Sequence, residues 1–494
     1  MSKKWLIVFT MAAMAAMLVG AGSGFAVNTY YWNGTVNGII NNVLNWDDIS
    51  GAGGASPGAF LEGDVLVFDN TVGGALNLGT DADFIVGVTL TLDATRDGAV
   101  TITPANIILL SGIDMANSAY PLNIADGGTV KLSANANFIT GAGGALTFVE
   151  ALDNNTHTLT ISGNGTPLFQ GGMSGSGGLI ITMAGAQAVT FNTNPATYTG
   201  NTTINKGNLT SGVANMLTNS GTYTLANDLQ ATITTLAIET IGSLAGGGNL
   251  GGNVIMGAAL DLDQAENTTY SGIISGSGPL RKIGTGTLKL ASANTYTAAT
   301  TVDEGTLLIN AVQDGACTGP VNVSNPGTIL GGTGTTRGAV TINTGAIVKP
   351  GDDDNVPATL TATNAFTFTA GSTLIIDIVN TTSDLLAVSG ALTVATGGGG
   401  AEIDLGVVPS SQAIQYTVVN AGSGAALFQT TNLNAGWSQS TNGSTFIKLL
   451  GVLSGGGISV PTLNEWGIII MFLLLTGTGI LVMRKRQHTS GIAR

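Results

Sequence analysis

Few residues in this chain of 494 have side chains that could carry out chemistry, so their spacing is the first test for a catalytic site. The two histidines are His157 and His488, and the single cysteine is Cys317. His157 lies in a polar turn without a cysteine or an acidic cluster beside it, which gives little support to a zinc site or a Ser-His-Asp triad. Cys317 is predicted to be a small core residue rather than a reactive thiol.

The densest acidic group is the run Asp352, Asp353 and Asp354. Neighbouring carboxylates can share a calcium ion, so these residues are the one weak candidate metal site, and calcium is the one cofactor that the sequence leaves open. The flanking segments 350–351 and 357 contain proline and glycine, which is typical of a solvated loop. The solvated loop is the simpler interpretation.

Other charged residues do not combine into a site. Asp261 and Asp263 alternate along one strand, and Arg281 and Lys282 could bind an anionic sugar. No spacing joins these four residues into one constellation. The sequence therefore predicts no catalytic residues and no cofactor-binding residues.

Strands are the elements that must position these side chains, because a glycine followed by alternating apolar residues recurs along the chain. The repeat is complete between residues 275 and 310, where the run Gly-Thr-Leu-Lys-Leu (286–290) is followed by the similar run Gly-Thr-Leu-Leu-Ile (305–309). Apolar residues at every second position are typical of a strand with one buried face, and the offset between the two runs predicts one coil of a solenoid. Lys289 is predicted to point outward. The residues predicted to point inward are Leu288, Leu290, Leu307 and Ile309.

Three motifs in this segment resemble a known family. They are Gly-x-Gly-x-Leu-x-Leu (284–290), x-Asn-x-Tyr-x-x-x-Thr-x-Val (293–302) and x-x-Gly-Thr-Leu (303–307), and they are similar to the passenger-associated transport repeat of autotransporter-type surface proteins. Ala298 and Ala299 stand where that family usually has glycines. The resemblance implies an all-β fold, a right-handed parallel β-helix, and it extends over nearly the whole body.

Composition agrees with one repetitive β body, since the chain has 74 glycines, 12 prolines and 9% charged residues. Glycine-led strands recur over residues 71–405, which are predicted to form the β-helix repeats and, at roughly 20 residues per coil, about 17 coils. Asparagines beside the turns, such as Asn201 and Asn294, are predicted to tolerate left-handed backbone and to stack as ladders.

The charge of the body excludes two classes of partner. Residues 27–466 carry 9 basic and 29 acidic side chains, although the formal charge of the whole chain is −14. Such a surface repels nucleic acid and anionic lipid.

The N-terminal segments are predicted to direct export and to begin the solenoid. Residues 1–26 have two lysines, an apolar run and a small-residue exit, which predicts a secretory signal peptide with a signal helix. Residues 27–70 are predicted to form an N-terminal cap in which Trp32 and Trp46 cover the open end of the first coil. A sugar-binding aromatic platform is the alternative function for these tryptophans.

The C-terminal region is predicted to close the solenoid and to sort the protein. Residues 406–454 resemble the closing segment of autotransporter passengers. Residues 455–494 contain, in order, a glycine linker, the motif Val-Pro-Thr-Leu (460–463), an apolar run (467–483) and a basic cluster. The run is just long enough for a transmembrane helix with the basic cluster in the cytoplasm. This order resembles the Ile-Pro-Thr-Leu class of sorting tail, which implies processing by an exosortase in a Gram-negative bacterium; a plain membrane anchor is the alternative. The sorting residues are Val460, Pro461, Thr462, Leu463, Glu465, Trp466, Gly467, Arg484, Lys485 and Arg486.

These features favour an exported protein with a structural or adhesive role at the cell surface or in an extracellular matrix. The expected course is an inner-membrane-anchored precursor that reaches the surface after processing. Expected partners are signal peptidase, an exosortase-type enzyme and extracellular polysaccharide or other surface components. A carbohydrate-active β-helix enzyme, a polysaccharide lyase or hydrolase, is the alternative, and it requires a groove where carboxylates and a basic residue converge.

Overall fold

The computed structural model describes most of the predicted β body. The described residues are 28–33, 40, 45–48, 59–69, 74–80, 84–125, 127–311, 319–352, 356–379, 382–395, 401–405, 415–423, 429–432, 438–441 and 446–450. The predicted signal peptide, Cys317 and the predicted sorting tail lie outside these ranges. None of the elements within them is a helix with the length and apolarity that crossing a bilayer requires.

The regular elements of the described residues are all strands. In the first half they are β1 Thr29–Trp32, β2 Trp46–Asp47, β3 Val65–Phe68, β4 Leu76–Gly79, β5 Phe84–Leu92, β6 Val100–Thr103, β7 Ile107–Asp114, β8 Leu122–Ile124, β9 Thr129–Thr140, β10 Leu146–Phe148, β11 Leu152–Asp153, β12 Leu159–Gly163, β13 Leu168–Phe169, β14 Met173–Ser174, β15 Leu179–Met183, β16 Ala188–Phe191, β17 Thr202–Ser211, β18 Thr222–Leu225, β19 Ala231–Thr235, β20 Glu239–Ile241, β21 Ser243–Gly246 and β22 Asn253–Met256.

The second half continues in the same way. Its strands are β23 Leu260–Asp263, β24 Thr268–Tyr270, β25 Ile274–Gly276, β26 Leu280–Ile283, β27 Thr287–Leu290, β28 Thr300–Val302, β29 Thr306–Ile309, β30 Val321–Val323, β31 Ile329–Gly332, β32 Thr335–Thr336, β33 Val340–Ile342, β34 Ile347–Pro350, β35 Thr359–Ala362, β36 Phe366–Phe368, β37 Thr373–Ile376, β38 Ile378–Val379, β39 Thr382–Ser383, β40 Leu385–Val394, β41 Glu402–Leu405, β42 Gln415–Ser423, β43 Gln429–Asn432, β44 Ser438–Thr441 and β45 Phe446–Leu450.

Stacked strands pair in parallel with the equivalent strand of the next coil, so the described body is a parallel β-solenoid of about 14 turns. One sheet continues from β1 to β43, a second from β4 to β25, and a third begins at β20 and continues through β40. The all-β parallel architecture predicted from the sequence is confirmed, and its right-handed sense stays a prediction.

The length of a coil varies along the solenoid. Paired residues are separated by 18 positions between Ile329 and Ile347 and by 29 between Thr373 and Glu402. The prediction of about 17 coils is too high because it applied nearly the shortest of these spacings to the whole body. In the longest of these coils some of the extra residues form the hairpin of β38 and β39, and the register shifts within several strand pairs, for example between β15 and β17.

The core is a continuous column of alternate side chains inside the coils. Phe148, Phe169 and Phe191 come from three successive coils, and their rings stack with centroids 5.2 Å and 5.1 Å apart. Parallel pairing places equivalent residues about 4.8 Å apart, which lies within the range of centroid separations, about 4.5–7 Å, that aromatic pairs prefer. The column therefore buries aromatic area in every coil that it crosses.

The tryptophans of the first described strands are buried. Trp32 and Trp46 are 3% and 0% exposed, and their rings pack edge to face with centroids 5.1 Å apart. Phe68 lies against both indoles, and Trp46 Nε1 donates to the Ile40 carbonyl at 2.8 Å. Buried rings cannot form an open sugar-binding platform, so this arrangement favours the covering role.

Candidate functional site

The repeat that dominates the sequence forms one coil and the start of the next. Strand β27 pairs with β29 so that Leu288 lies beside Leu307 and Leu290 beside Ile309, as the offset between the two runs predicts. All four side chains are fully buried, which confirms the predicted inward positions. Lys289 points outward and is half-buried.

The polar residues of the repeat turn inward, which the sequence did not indicate. The Tyr296 hydroxyl and the Thr300 Oγ1 are 2.6 Å apart inside the coil, and both residues are fully buried. Asn294 is also buried, and its Oδ1 accepts a hydrogen bond from the Ile274 amide at 2.8 Å. Among the described residues, the only non-glycine residues with left-handed backbone are Asn155 and Asn215, so the prediction of that role for Asn294 is wrong. Its side chain instead bonds to the preceding coil.

Lys282 is a further polar residue that faces into the coil. Its side chain is fully buried, and its ammonium donates to the carbonyls of Gly284 at 2.7 Å and Glu304 at 2.8 Å. Burial lowers the pKa of Lys282 to about 8. Because the charge is enclosed inside the coil, Lys282 is not placed to bind an external anionic sugar.

Arg281, the preceding residue, lies outside the coil between two carboxylates. Its Nε is 2.6 Å from Asp303 Oδ2, and its Nη1 is 3.4 Å from Asp261 Oδ2. The hydrogen bond to Asp303 is the main reason that the pKa of Arg281 is raised. This ladder crosses three successive coils and neutralises the arginine, so Asp261 and Arg281 form an ion pair instead of a sugar site.

Asp352, the described member of the acidic run, already has a cationic partner. Its Oδ2 accepts hydrogen bonds from the Lys289 ammonium and, at 3.1 Å, from Asn310 Nδ2. The hydrogen bond from Lys289 lowers the pKa of Asp352. Asp353 and Asp354 lie outside the described residues, and calcium binding by the run stays a prediction.

A second group of charges lies just after β37, where the chain leaves the sheet that contains β34 and β37. Lys349 Nζ is 3.6 Å from Asp377 Oδ2, and the Asp384 carboxylate accepts hydrogen bonds from the amides of Ala358 and Asp377, each at 2.9 Å. Both aspartates are 1% exposed. Burial is the main cause that raises the pKa of Asp384 to about 6. The spacing of these residues in the sequence does not predict that they are close. They meet because neighbouring coils pair and because a hairpin places Asp377 beside Asp384.

Metal ligation has no geometric support in the ranges that the structure covers. No three histidine, cysteine, aspartate or glutamate side chains among the described residues are grouped so that they could hold an ion. His157 is part of a turn in which its amide donates to the Asn154 carbonyl at 2.8 Å. His488 and the sorting residues 460–467 and 484–486 lie outside the described residues.

Comparisons with known proteins agree with the geometry of the repeat. A family model described as passenger-associated-transport-repeat matches residues 280–309, which include β26 to β29. The chain is also 30% identical over 239 residues to "Adhesin BmaC autotransporter" of Brucella suis biovar 1 (strain 1330). This chain resembles an autotransporter-type β-helix protein. The aligned region covers 47% of this chain and 6% of the relative's length, so the chain matches only a small part of that relative. The exosortase tail stays a prediction.

Proposed function

We propose that the chain is an exported, right-handed β-helix protein with a structural or adhesive role at the cell surface or in the extracellular matrix of a Gram-negative bacterium. The observation that carries the proposal is the coincidence of the matched repeat, residues 280–309, with a complete coil in the described solenoid. The relative that shares the wider resemblance is named as an adhesin. A stack of coils provides a long lateral surface at fixed spacing, which suits repeated weak contacts.

The proposed route of export uses both ends of the chain. Signal peptidase removes residues 1–26, and the predicted helix after Gly467 holds the precursor in the inner membrane. An exosortase-type enzyme then processes the tail near Pro461-Thr462-Leu463, and the body reaches the surface. The acidic, low-charge body supports this route, because it stays soluble and is repelled by anionic lipid.

We propose that the role is non-enzymatic. A polysaccharide lyase or hydrolase needs carboxylates that are available to a substrate. Several described carboxylates form ion pairs with basic side chains of the same chain: Asp303 and Asp261 with Arg281, and Asp352 with Lys289. These contacts stabilise adjacent coils, and extracellular polysaccharide is proposed as a binding partner rather than a substrate.

Attachment assays on the native host test the adhesive or structural role. The gene is deleted and then restored as the wild type, as Leu307→Asp or as Leu308→Asp. We expect the deletion strain and the Leu307→Asp strain to lose attachment to polysaccharide films and matrix cohesion. The Leu308→Asp strain should retain both, because Leu308 points away from the core.

Two results would contradict the proposal. One is a deletion strain with normal attachment and a normal matrix. The other is release of unsaturated or reducing-end fragments when the purified protein is incubated with host polysaccharide, which would favour the enzyme.

A further inference from the structure

Lys349, Asp377 and Asp384 meet at a corner that is largely closed to water. Lys349 lies on β34, and Asp377 follows β37, the strand of the next coil that pairs with β34. The exposed fraction of the side chain is 24% for Lys349 and 1% for Asp377. An amine that is still partly exposed is therefore held against a carboxyl group that is closed to water, and the two come from neighbouring coils.

A hairpin fixes the position of the carboxyl group. Strands β38 and β39 pair in antiparallel fashion. Asp377 directly precedes β38, and Asp384 directly follows β39. The Asp384 amide donates to the Asp377 carbonyl at 2.8 Å, and the Asp377 amide donates back to Asp384 Oδ2 at 2.9 Å. Asp384 Oδ1 also accepts from the Ala358 amide. Asp377 is thus tied at its backbone while its side chain faces Lys349.

We propose that Lys349 and Asp377 are joined by an intramolecular isopeptide bond that links two neighbouring coils of the solenoid. The bond would connect Nζ of Lys349 to Cγ of Asp377. Asp384 is a positioning residue, because its carboxylate holds the Asp377 backbone.

The reaction balances without another reactant. One ammonium proton passes from Nζ of Lys349 to a carboxyl oxygen of Asp377, which leaves a neutral amine facing a neutral acid. The amine lone pair forms the Nζ–Cγ bond, a second amine proton passes to the same oxygen, and the Cγ–O bond breaks. The products are one neutral amide and one water molecule, and no electrons are transferred.

Proximity and burial both favour this condensation. Nζ is 3.6 Å from an oxygen that is one bond from the reacting carbon. Holding two groups together in one fold favours their reaction, and well-oriented intramolecular reactions reach effective molarities of about 10⁵–10⁸ M. A buried ion pair keeps the desolvation penalty of two charges, whereas an amide keeps none and releases a water molecule. Asp384, with its pKa raised to about 6, adds a group beside the pair that takes up a proton in mildly acidic conditions.

The place of the bond also fits the fold. The coil from Ile347 to Thr373 is longer than the preceding coil, from Ile329 to Ile347, and the next coil, which carries the hairpin, is longer still. Long connections between paired strands lower stability, because the added residues lose conformational entropy without forming further hydrogen bonds between the strands. The chain has one cysteine, so an intramolecular disulfide cannot close this region.

Lys131 and Asp153 provide a matched pair within the same molecule. They also come from adjacent strands of neighbouring coils, and Lys131 Nζ is 3.2 Å from Asp153 Oδ2, closer than in the proposed site. Their side chains are 38% and 24% exposed, so water reaches the Asp153 carboxylate, whereas the Asp377 carboxylate is buried. If distance alone decided the reaction, an isopeptide bond would form here as well. If burial of the carboxylate is required, none forms at this pair.

Peptide mapping of the full chain tests the proposal. The folded protein is purified, unfolded and digested with chymotrypsin, which is expected to release residues 331–360 with Lys349 and residues 375–385 with Asp377. We expect one linked species whose mass is lower by one water than the sum of the two peptides. The peptides that carry Lys131 and Asp153 should be recovered separately.

Two variants locate the chemistry. Lys349→Arg keeps the charge but should give only separate peptides at full mass. Asp384→Asn keeps both reacting groups, and we expect the linked fraction to fall at least tenfold while circular dichroism shows an unchanged fold. Recovery of separate wild-type peptides at full mass would overturn the proposal and leave an ordinary ion pair. A linked fraction that is unchanged in Asp384→Asn would overturn the positioning role of Asp384.

Discussion

The amine of Lys282 is enclosed in the coil, and its pKa of about 8 makes the stability of the protein depend on pH. A lysine in the unfolded chain loses its proton near pH 10.4. Between about pH 8 and pH 10.4 the unfolded chain therefore binds a proton that the folded chain has lost. We expect the free energy of unfolding to rise with pH across this window, with a slope of at most about 1.4 kcal/mol per pH unit. Urea unfolding followed by circular dichroism measures it.

Lys282→Met is the control for this slope. Methionine keeps an unbranched side chain in the same space and has no proton to exchange. The variant should lack the increase between pH 8 and pH 10.4, while Arg281→Met, on the outer face, should keep it. A slope of the same size in Lys282→Met would show that other groups cause it.

Sequence reasoning treated Arg281 and Lys282 alike, and the structure separates them. Alternation along β26 places Lys282 in phase with the buried Leu280, so the direction of its side chain was available from the pattern. Lysine is rarely fully buried without partners, which makes an outward position the ordinary expectation. Its partners are carbonyls of residues 284 and 304, one of them on the next coil, and no spacing in the sequence identifies them.

Strand β29 permits a sharp test of which face of an element is buried. Leu307 is fully buried, whereas Leu308, the next residue, lies on the outer face beside Lys289. Leu307→Asp should lower the free energy of unfolding by at least about 3 kcal/mol, because it buries an unpaired charge. Leu308→Asp should cost less than about 1 kcal/mol, because its carboxylate reaches water and a lysine. Urea unfolding of both variants gives the comparison.

Equal destabilisation by the two substitutions would contradict the register of this coil. Lys289→Asp extends the test, since it removes the partner of Asp352 on the same outer face. It should resemble Leu308→Asp, with a small loss that decreases further in high salt.

At the level of elements, local pattern predicts strands and leaves the corners open. The alternation in residues 286–290 and 305–309 predicts both strands and their pairing, and the structure confirms them. Between these two strands the structure has one more short strand, Thr300–Val302, and residues 294–297 before it form no strand. The reason is physical: Tyr296 and Asn294 direct their polar groups into the coil, which a strand with simple alternation does not require. The length of each coil depends on such corners, so the number of coils could not be predicted from the length of one repeat.

The whole molecule combines a body that the structure describes with two terminal segments whose roles are predicted from the sequence alone. The body has 9 basic and 29 acidic residues, and some of its described charges are paired between coils, as at Arg281 and Lys131. Alternation of apolar residues predicts the solenoid, but a sorting tail is read by an enzyme, so its recognition cannot be derived from packing.

The tail gives the prediction that decides between sorting and anchoring. If an exosortase-type enzyme cleaves near Pro461-Thr462-Leu463, the segment 467–483 holds only the precursor, because this apolar segment is just long enough to span a bilayer and the basic cluster after it stays in the cytoplasm. A plain anchor would keep this segment in the mature protein. Mass spectrometry of the surface fraction from the native host should detect peptides of the solenoid and none from His488–Arg494, and changing Pro461-Thr462-Leu463 to alanines should retain those peptides in the membrane fraction. A wild-type surface protein that still carries residues 488–494 would be an anchored protein, and the sorting hypothesis would be wrong.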